Sequence, residues 1–505
     1  MLELIGAGFS AILDPQCMVL IFGGVILGII FGAIPGLSAT MAIALCLPMT
    51  YGMAPSAGMC LLIGLYIGGI SGGLVSAILL HIPGTPSSVA TCFDGHPLAA
   101  KGEAGKALGV GISFSFLGTL MGIIALMFIA PSLARVALKF GSYEYFAVGL
   151  FSISMMCALV KGSVVKGLIS GLIGMMLAMV GPAPIDGLPR LTFGIHALDG
   201  GFDILPLLIG LFAISEVIST AMDKGAPKEH VLQNFKIKGM GFSLKEGLGQ
   251  AWNAVRSGLI GIGIGILPGI GGGTSNILSY TVAKNSDKHP ERFGTGVIDG
   301  IVASETANNA SIGGALIPLL TLGIPGDTVT ALLLGGLMVH GLNPGPMLFQ
   351  NSGPFVYGIF AACIIANFVM LFAEYFGIKL FARVLSVPKH ILLPIIIVLC
   401  CVGAYGLNNR MFDVFAVLFF GLLAFLLGRG GFPLPPIILG FILGPMIETN
   451  LRRGLMQSRT GFMAFLTKPI SLAFLLLTVA VVVLAVVQEI RANKKAKAAA
   501  QATEV

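Results

Sequence analysis

Three stretches of this chain, Cys17–Ile34, Ala107–Ala130 and Ile470–Val487, run without one charged side chain. Each is close to the ~20 apolar residues that carry a helix across bilayer hydrocarbon. The constraint is severe, because in lipid every backbone N–H and C=O must find its partner inside the protein. Only helices or a closed barrel satisfy it, and the runs lack the alternating segments of a barrel. Charged side chains make up only 10% of the 505 residues, 56% are hydrophobic, and the mean hydropathy is +0.97. Soluble chains carry about 25% charge, so a water-facing surface of this size cannot be assembled. The sequence predicts an all-α, polytopic membrane bundle of about twelve segments, each near spanning length.

Seventy-one glycines and 27 prolines accompany the apolar runs. Small residues let membrane helices approach closely, and prolines inside apolar runs point to broken helices rather than simple rods. The run Phe432–Met446 is short and proline-rich and fits a re-entrant segment. Eight scattered cysteines form no CxxC pair and no Cys/His cluster at metal spacing, so they read as small packing residues and no metal site is expected.

The basic residues are unevenly placed. None precedes Lys101, whereas 223–256 holds Lys224, Lys228, Lys236, Lys238, Lys245 and Arg256, and the tail holds Arg491, Lys494, Lys495 and Lys497. Short basic loops stay cytoplasmic, which puts the central linker and C-terminus inside and leaves the N-terminus free to be outside. The N-terminus lacks the basic region of a signal peptide. The tail charges directly follow an apolar segment and anchor topology; nucleic acid is not an expected partner.

Most informative is a duplication. Gly28-Ile-Ile-Phe-Gly32-Ala-Ile-Pro35-Gly36 recurs as Gly261-Ile-Gly-Ile-Gly265-Ile-Leu-Pro268-Gly269. Downstream, Gly72-Gly73 and Ile82-Pro83-Gly84-Thr85 are matched by Gly313-Gly314 and Ile324-Pro325-Gly326-Asp327. The order is preserved, with the basic linker between the sets. The chain therefore divides into a membrane repeat at 1–222, a linker at 223–256, a second repeat at 257–487 and a tail at 488–505, with the repeats expected to be inverted.

Paired halves broken at Pro-Gly mark a carrier with a binding site near the bilayer midplane. A helix restarting inside the membrane exposes free N–H groups and a positive dipole end, which suit an anion. Polar residues follow every break: Gly36, Ser38 and Thr40; Gly84, Thr85, Ser87, Ser88 and Thr91; Gly269, Thr274, Ser275 and Asn276; Gly326, Asp327 and Thr328. They are candidate substrate ligands; the plain alternative is that they are N-caps and hinges. Between the later breaks, Glu305, Asn308 and Asn309 supply oxygens for a hard cation, or Glu305 carries a proton; interhelical hydrogen bonding is the equal alternative. Glu216 and Glu374 read as helix-end residues reaching the interface, and His81 and His340 as satisfied packing residues.

Other chemistries find no support. The run 261–273 lacks G-x-G-x-x-G spacing and a following acid, and no phosphate-binding G-x-x-x-x-G-K-[ST] loop exists. Glu103-Ala104-Gly105 with Gly109 partly matches the coupling loop of ATP-driven permeases, but the closing I-x-L-P is missing. The acidic clusters or His/Arg constellations of membrane enzymes are not found, so catalysis is not expected.

Together Pro35-Gly36-Leu37-Ser38, Leu47-Pro48-Met49-Thr50-Tyr51, Gly68-Gly69-Ile70-Ser71-Gly72-Gly73 and Ile82-Pro83-Gly84-Thr85-Pro86 resemble the large membrane subunit of tripartite tricarboxylate transporters. Leu267-Pro268-Gly269 and Gly323-Ile324-Pro325-Gly326-Asp327 match its second half, so the resemblance covers essentially the whole chain. It implies a multi-pass carrier in the bacterial inner membrane, a small membrane subunit, a periplasmic solute-binding protein, and uptake of citrate or related di- and tricarboxylates driven by Na+ or H+. No cofactor is implied. A stand-alone carrier or the large subunit of the other binding-protein-dependent carboxylate system shares the repeat logic.

Overall fold

The computed structural model describes residues 2–159, 163–222, 241–384 and 389–503. Lys224, Lys228, Lys236 and Lys238 of the linker lie outside them. The fold is all-helical apart from a two-stranded antiparallel pair, Gly181–Pro182 with Pro189–Arg190.

The first half begins with α1 (Leu2–Ile12) and α2 (Pro15–Ala33), which starts on an Asp14 cap with proline in its first turn. After the Pro35-Gly36 break comes α3 (Ala39–Cys46), then α4 (Pro55–Leu80), which is buried along nearly its whole length. Beyond Pro83-Gly84 lie α5 (Thr91–Leu98) and the long α6 (Ala104–Ala137), joined through Gly102 at φ 88°. Then follow α7 (Ser142–Leu159) and α8 (Val164–Ala178), and α9 (Ile204–Ile209) continues through a wide turn into α10 (Ser215–Met222).

The second half opens with the polar α11 (Leu244–Gly249), started by a reciprocal Ser243–Glu246 capping box. Next come α12 (Ala251–Ile266), the Pro268-Gly269 break and α13 (Gly271–Ser286). The buried α14 (Ile298–Leu322) ends at Gly323, and α15 (Thr328–Val339) follows Pro325-Gly326. The chain finishes with α16 (Pro346–Asn351), α17 (Gly353–Val384), α18 (Lys389–Asn408), α19 (Met411–Arg429), α20 (Leu434–Gln457), α21 (Met463–Thr467) and α22 (Pro469–Thr503).

Among the described residues nine helices are long and apolar enough to cross a membrane, and Ala39–Thr50, Val164–Ala178 and Thr328–Val339 are shorter apolar helices. The protein is a multi-pass membrane protein. The span Pro469–Arg491 is the most apolar of the nine, yet only 11% of its apolar window is buried in protein, so most of it faces away from the rest of the chain. The proline-rich run after Arg429 corrects the re-entrant expectation: Leu434–Gln457 is one continuous helix. Its prolines at 435 and 436 fall in the first turn, where no intrahelical N–H bond is lost, and Pro445 lies in the interior without ending the helix.

The chain forms two compact units, Met1–Leu138 with Leu208–Leu422, and Lys139–Leu207 with Leu423–Val505. The first half gives 1–138 and 208–222 to the first unit and 139–207 to the second; the second half gives its part up to 422 to the first unit and the rest to the second. Within the second unit, α20 packs on α7 and α8, α22 packs on α7, and Arg190 forms a two-pronged pair with Glu448 at 2.7 and 3.1 Å. Within the first, α2 runs along α4 and α12 along α14, each pair meeting through glycine. A side chain on Gly28 would strike the Leu65 carbonyl and one on Gly32 that of Gly69; on Gly261 and Gly265 it would strike the carbonyls of Ala307 and Ser311. The two halves repeat one contact pattern, residue for residue. The pattern also shifts the register read from sequence. Gly72 meets the carbonyl of Ile29 and Gly314 that of Ile262, so the partner of Gly72 is Gly314, and Gly73 pairs with Ala315.

Candidate functional site

The four Pro-Gly breaks fall within the first unit and touch one another there. At the first and third, the turn needs a left-handed residue: φ is 90° at Gly36 and 78° at Gly269, conformations glycine alone adopts freely. At the second and fourth, glycine is needed for proximity. A Cβ on Gly84 would overlap the Gly32 carbonyl, and one on Gly326 would lie 2.5 Å from the Gly265 carbonyl. Thr40 and Thr328 hydroxyls meet at 3.4 Å, joining the first and fourth tips. A Cβ on Gly271 would lie 2.6 Å from that of Asp327, joining third and fourth. Ala90 donates to Asn276 Oδ1 at 2.8 Å, and Gly273 abuts Pro86, joining second and third.

Several predicted ligands serve the backbone. Ser38 caps α3, accepting from Met41 at 3.1 Å. Asp327 caps α15, accepting from Thr330 N–H at 2.7 Å, while Tyr66 donates to its other oxygen at 2.6 Å. Its carboxylate is thus committed, and its negative charge disfavours a second anion beside it. Ser88 accepts from Thr85 N–H and donates to Thr85 C=O; Ser275 donates to Gly272 and Ala307 carbonyls. Thr274 is exposed and lies outside the cluster.

Others are conspicuously unused. Asn308 is fully buried, and neither Oδ1 nor Nδ2 has a hydrogen-bond partner; Thr85 Oγ1 and Asn276 Nδ2 are equally bare. Buried polar groups left unpaired cost about 1–3 kcal/mol each, so such a cluster is a candidate ligand site. The repeat sharpens the point. Asn308 occupies the position of Tyr66, and Thr85 that of Asp327; one pair is bonded and the other is open. A Cβ on Gly272 would lie 2.6 Å from Asn308 Oδ1, 2.8 Å from Ser87 Oγ and 3.2 Å from Ser311 Oγ. Gly272 lies in the first turn of α13, whose start no side chain caps, leaving first-turn N–H groups without intrahelical partners.

The predicted cation group splits. Buried Glu305 accepts from Thr91 at 2.5 Å, Ser115 at 2.8 Å and Asn309 at 3.3 Å, and Thr119 donates to Asn309 at 3.4 Å. This hydroxyl and amide cradle faces α5 and α6, whereas Asn308 faces the tips. Among the described residues no group of three His, Cys, Asp or Glu side chains is placed to hold a metal.

Sequence reasoning missed Tyr66, Ser115 and Ser71, hydroxyls on apolar helices whose signal is only their rarity there. It misplaced Glu374, which is fully buried inside α17 with Ser71 donating to it at 3.0 Å. Glu216 lies inside the continuous span Ile204–Met222. His81 is exposed and stacks on His96 at 4.7 Å, and His340 Nε2 is buried without a partner, so neither is a satisfied core histidine.

Residues 18–439 match the family described as the tripartite tricarboxylate transporter TctA family. The chain belongs to that family. It is 36% identical over 487 residues to an uncharacterized 52.8 kDa protein of the TAR-I ttuC' 3' region of Agrobacterium vitis, covering 96% of each chain. It is 38% identical over 231 residues to an uncharacterized protein of the TAR-II ttuC' 3' region of the same organism, covering 46% of this chain and 96% of that one. No solved structure matches. As a member of the tripartite tricarboxylate transporter TctA family, the chain is the large membrane subunit of a transporter that works with partner subunits.

Proposed function

We propose that this subunit carries a small organic anion, a tri- or dicarboxylate such as citrate, through the first unit, with the four helix tips as its binding site. The observation that carries the reading is the open Asn308–Thr85 pair beside the uncapped start of α13. Asn308 Nδ2, Asn276 Nδ2, the Thr85 and Ser87 hydroxyls and the first N–H groups of α13 are all donors, which match carboxylate oxygens. The N-terminal end of α13 adds a positive dipole to the same spot. A periplasmic protein delivers the solute, a small membrane subunit completes the assembly in the bacterial inner membrane, and a cation gradient drives uptake. Support comes from the family and from the buried carboxylates near the tips, which can take up a cation, since a multiply charged anion needs positive charge moving with it to cross lipid.

The test is uptake of radiolabelled citrate, tartrate and succinate into vesicles holding the complete assembly. Asn308→Asp keeps the shape and replaces a donor with a negative charge; we expect at least a tenfold loss of uptake, the scale of one lost charge-assisted hydrogen bond of about 1.5–3 kcal/mol. Thr85→Val and Asp327→Ala are expected to impair uptake with normal membrane insertion. Wild-type uptake in all three variants excludes the tips as the site. Uptake undiminished without the periplasmic protein excludes the three-part arrangement.

A further inference from the structure

Five carboxylates are fully or almost fully buried in the first unit. Asp94 is held by backbone N–H groups and Tyr280, and Asp413 by Asn408 and Arg410, which leaves Glu305, Asp327 and Glu374. Two are well supplied. Glu305 has three side-chain donors, and Asp327 has Tyr66 and both donors of Thr330. Glu374 has one: Ser71 Oγ reaches Oε2 at 3.0 Å, and Oε1 has no hydrogen-bond partner. No ion pair to Glu374 exists among the described residues.

The position is as telling as the poverty of partners. Ser71 lies in α4 between Gly69 and Gly73. A Cβ on Gly69 would lie 2.5 Å from Ala39 Cβ at the first tip, and one on Gly73 would lie 2.7 Å from Thr85 Oγ1 at the second. Successive odd positions of a helix point to opposite sides, so Ser71 holds Glu374 level with the tips and behind them. From the elements packed on α17 the titratable side chains are Glu3 of α1, Cys17 of α2, Cys60 and Tyr66 of α4, and Lys106 and Arg135 of α6. α16 has none, and α17 itself adds Tyr357, Cys363, Tyr375, Lys379 and Arg383. Tyr66 is engaged with Asp327 and Lys106 with Glu246. The charged group within electrostatic reach of Glu374 is another carboxylate, Glu305.

We propose that Glu374 is the proton-carrying group of this transporter, a role that rests on the carrier reading above. An ionised carboxylate with a single neutral donor is costly in lipid, and one proton bound at Oε1 removes that charge. A metal cation fits poorly, because hard cations gather several oxygen ligands, whereas Glu374 and Ser71 supply few. The cycle balances: an O–H bond forms at Oε1 with a proton from one side of the membrane, the carboxyl is carried neutral, and the bond breaks to release the proton to the other side. The anion at the tips and the proton behind α4 then share one moving helix.

The experiment uses the full assembly in vesicles with radiolabelled citrate as probe, alongside infrared spectroscopy of the purified chain. A coupling of one proton raises accumulation about tenfold per unit of pH gradient. In Glu374→Gln that slope is expected to vanish, and the residual exchange to stop responding to pH. In Ser71→Ala, which keeps the carboxyl and loses its donor, the pH midpoint of uptake is expected to move. In the infrared spectrum a buried carboxylic C=O band that titrates in the wild type is expected to be absent from Glu374→Gln. A wild-type slope in Glu374→Gln, sodium-driven uptake indifferent to the pH gradient, or an infrared titration unchanged by the substitution each overturns the assignment. A wild-type assembly that exchanges no carboxylate while the Glu374 band still titrates counts instead against the carrier reading.

Discussion

Gly263 and Gly265 sit two residues apart on α12, and their surroundings differ completely. A Cβ on Gly265 would lie 2.5 Å from the Ser311 carbonyl and 3.0 Å from Ala315 N, whereas one on Gly263 would meet nothing within 4 Å. Gly265→Ala is expected to lower the thermal midpoint in detergent by the equivalent of about 1–3 kcal/mol. Gly263→Ala is expected to leave it unchanged or raise it by up to about 1 kcal/mol, since alanine is the better helix former. Tyr66→Phe takes one donor from buried Asp327 and is expected to cost about 1–3 kcal/mol in the same measurement. Composition announced many glycines, but which of them are irreplaceable depends on the facing carbonyl. The polar residues behind each break were legible as a set. Their division into caps, such as Ser38 and Asp327, and open donors, such as Asn308 and Thr85, was not, because it is decided by partners from the other half of the chain. Glu374 was readable as a lone acid in an apolar run, but its distance from both helix ends needed the span's true limits.

Two elements are fastened by charges at helix starts. The Glu246 carboxyl of α11 accepts from Ser243 and pairs with Lys106 of α6 at 2.7 Å. The Lys106 bond, foremost, holds it well below the ordinary 4.5, at about 2. A depressed carboxyl stabilises the fold above its unfolded value, and that contribution is lost as pH falls from about 4.5 toward about 2. Protection against hydrogen exchange at 241–249, relative to the intrinsic rate, should therefore fall over that acid window, and added salt should weaken the pair because it is partly solvated. Asp94 ties a longer segment: its Oδ1 accepts from the N–H groups of Gly294, Gly296 and Val297 at 2.8–3.0 Å, and Tyr280 donates to its Oδ2. Asp94→Ala leaves three backbone donors without this acceptor, and proteolysis between α13 and α14 is the expected result. The breaks at Pro35, Pro83, Pro268 and Pro325 were legible because Pro-Gly stops a helix locally. The continuity of α20 was not, since proline is harmless in a first turn and interior Pro445 does not end the helix.

The molecule is a duplicated chain whose halves are wound through each other. α6 of the first half packs along α14 of the second, and α17 of the second packs on α2 and α4 of the first. Neither half contains the whole of the proposed site: Thr85 and Ser87 come from one, Asn308 and the start of α13 from the other. Separately produced fragments 1–222 and 241–505 should each fail to transport, and co-production should restore uptake if the chains meet in the membrane; recovery of activity by either fragment alone would contradict the interlocked arrangement. The duplication was legible from motif order, whereas its contact register needed the facing carbonyls.

That interlocking bears on ancestry. A gene encoding one half would have made a polypeptide able to pair α2 with α4, or α12 with α14, but with no partner in its own chain for the face on which α6 meets α14. A single-repeat ancestor would need two copies to build the same packing, and fusion would free the twins to diverge, as the bonded Tyr66–Asp327 pair and its open counterpart Asn308–Thr85 have done.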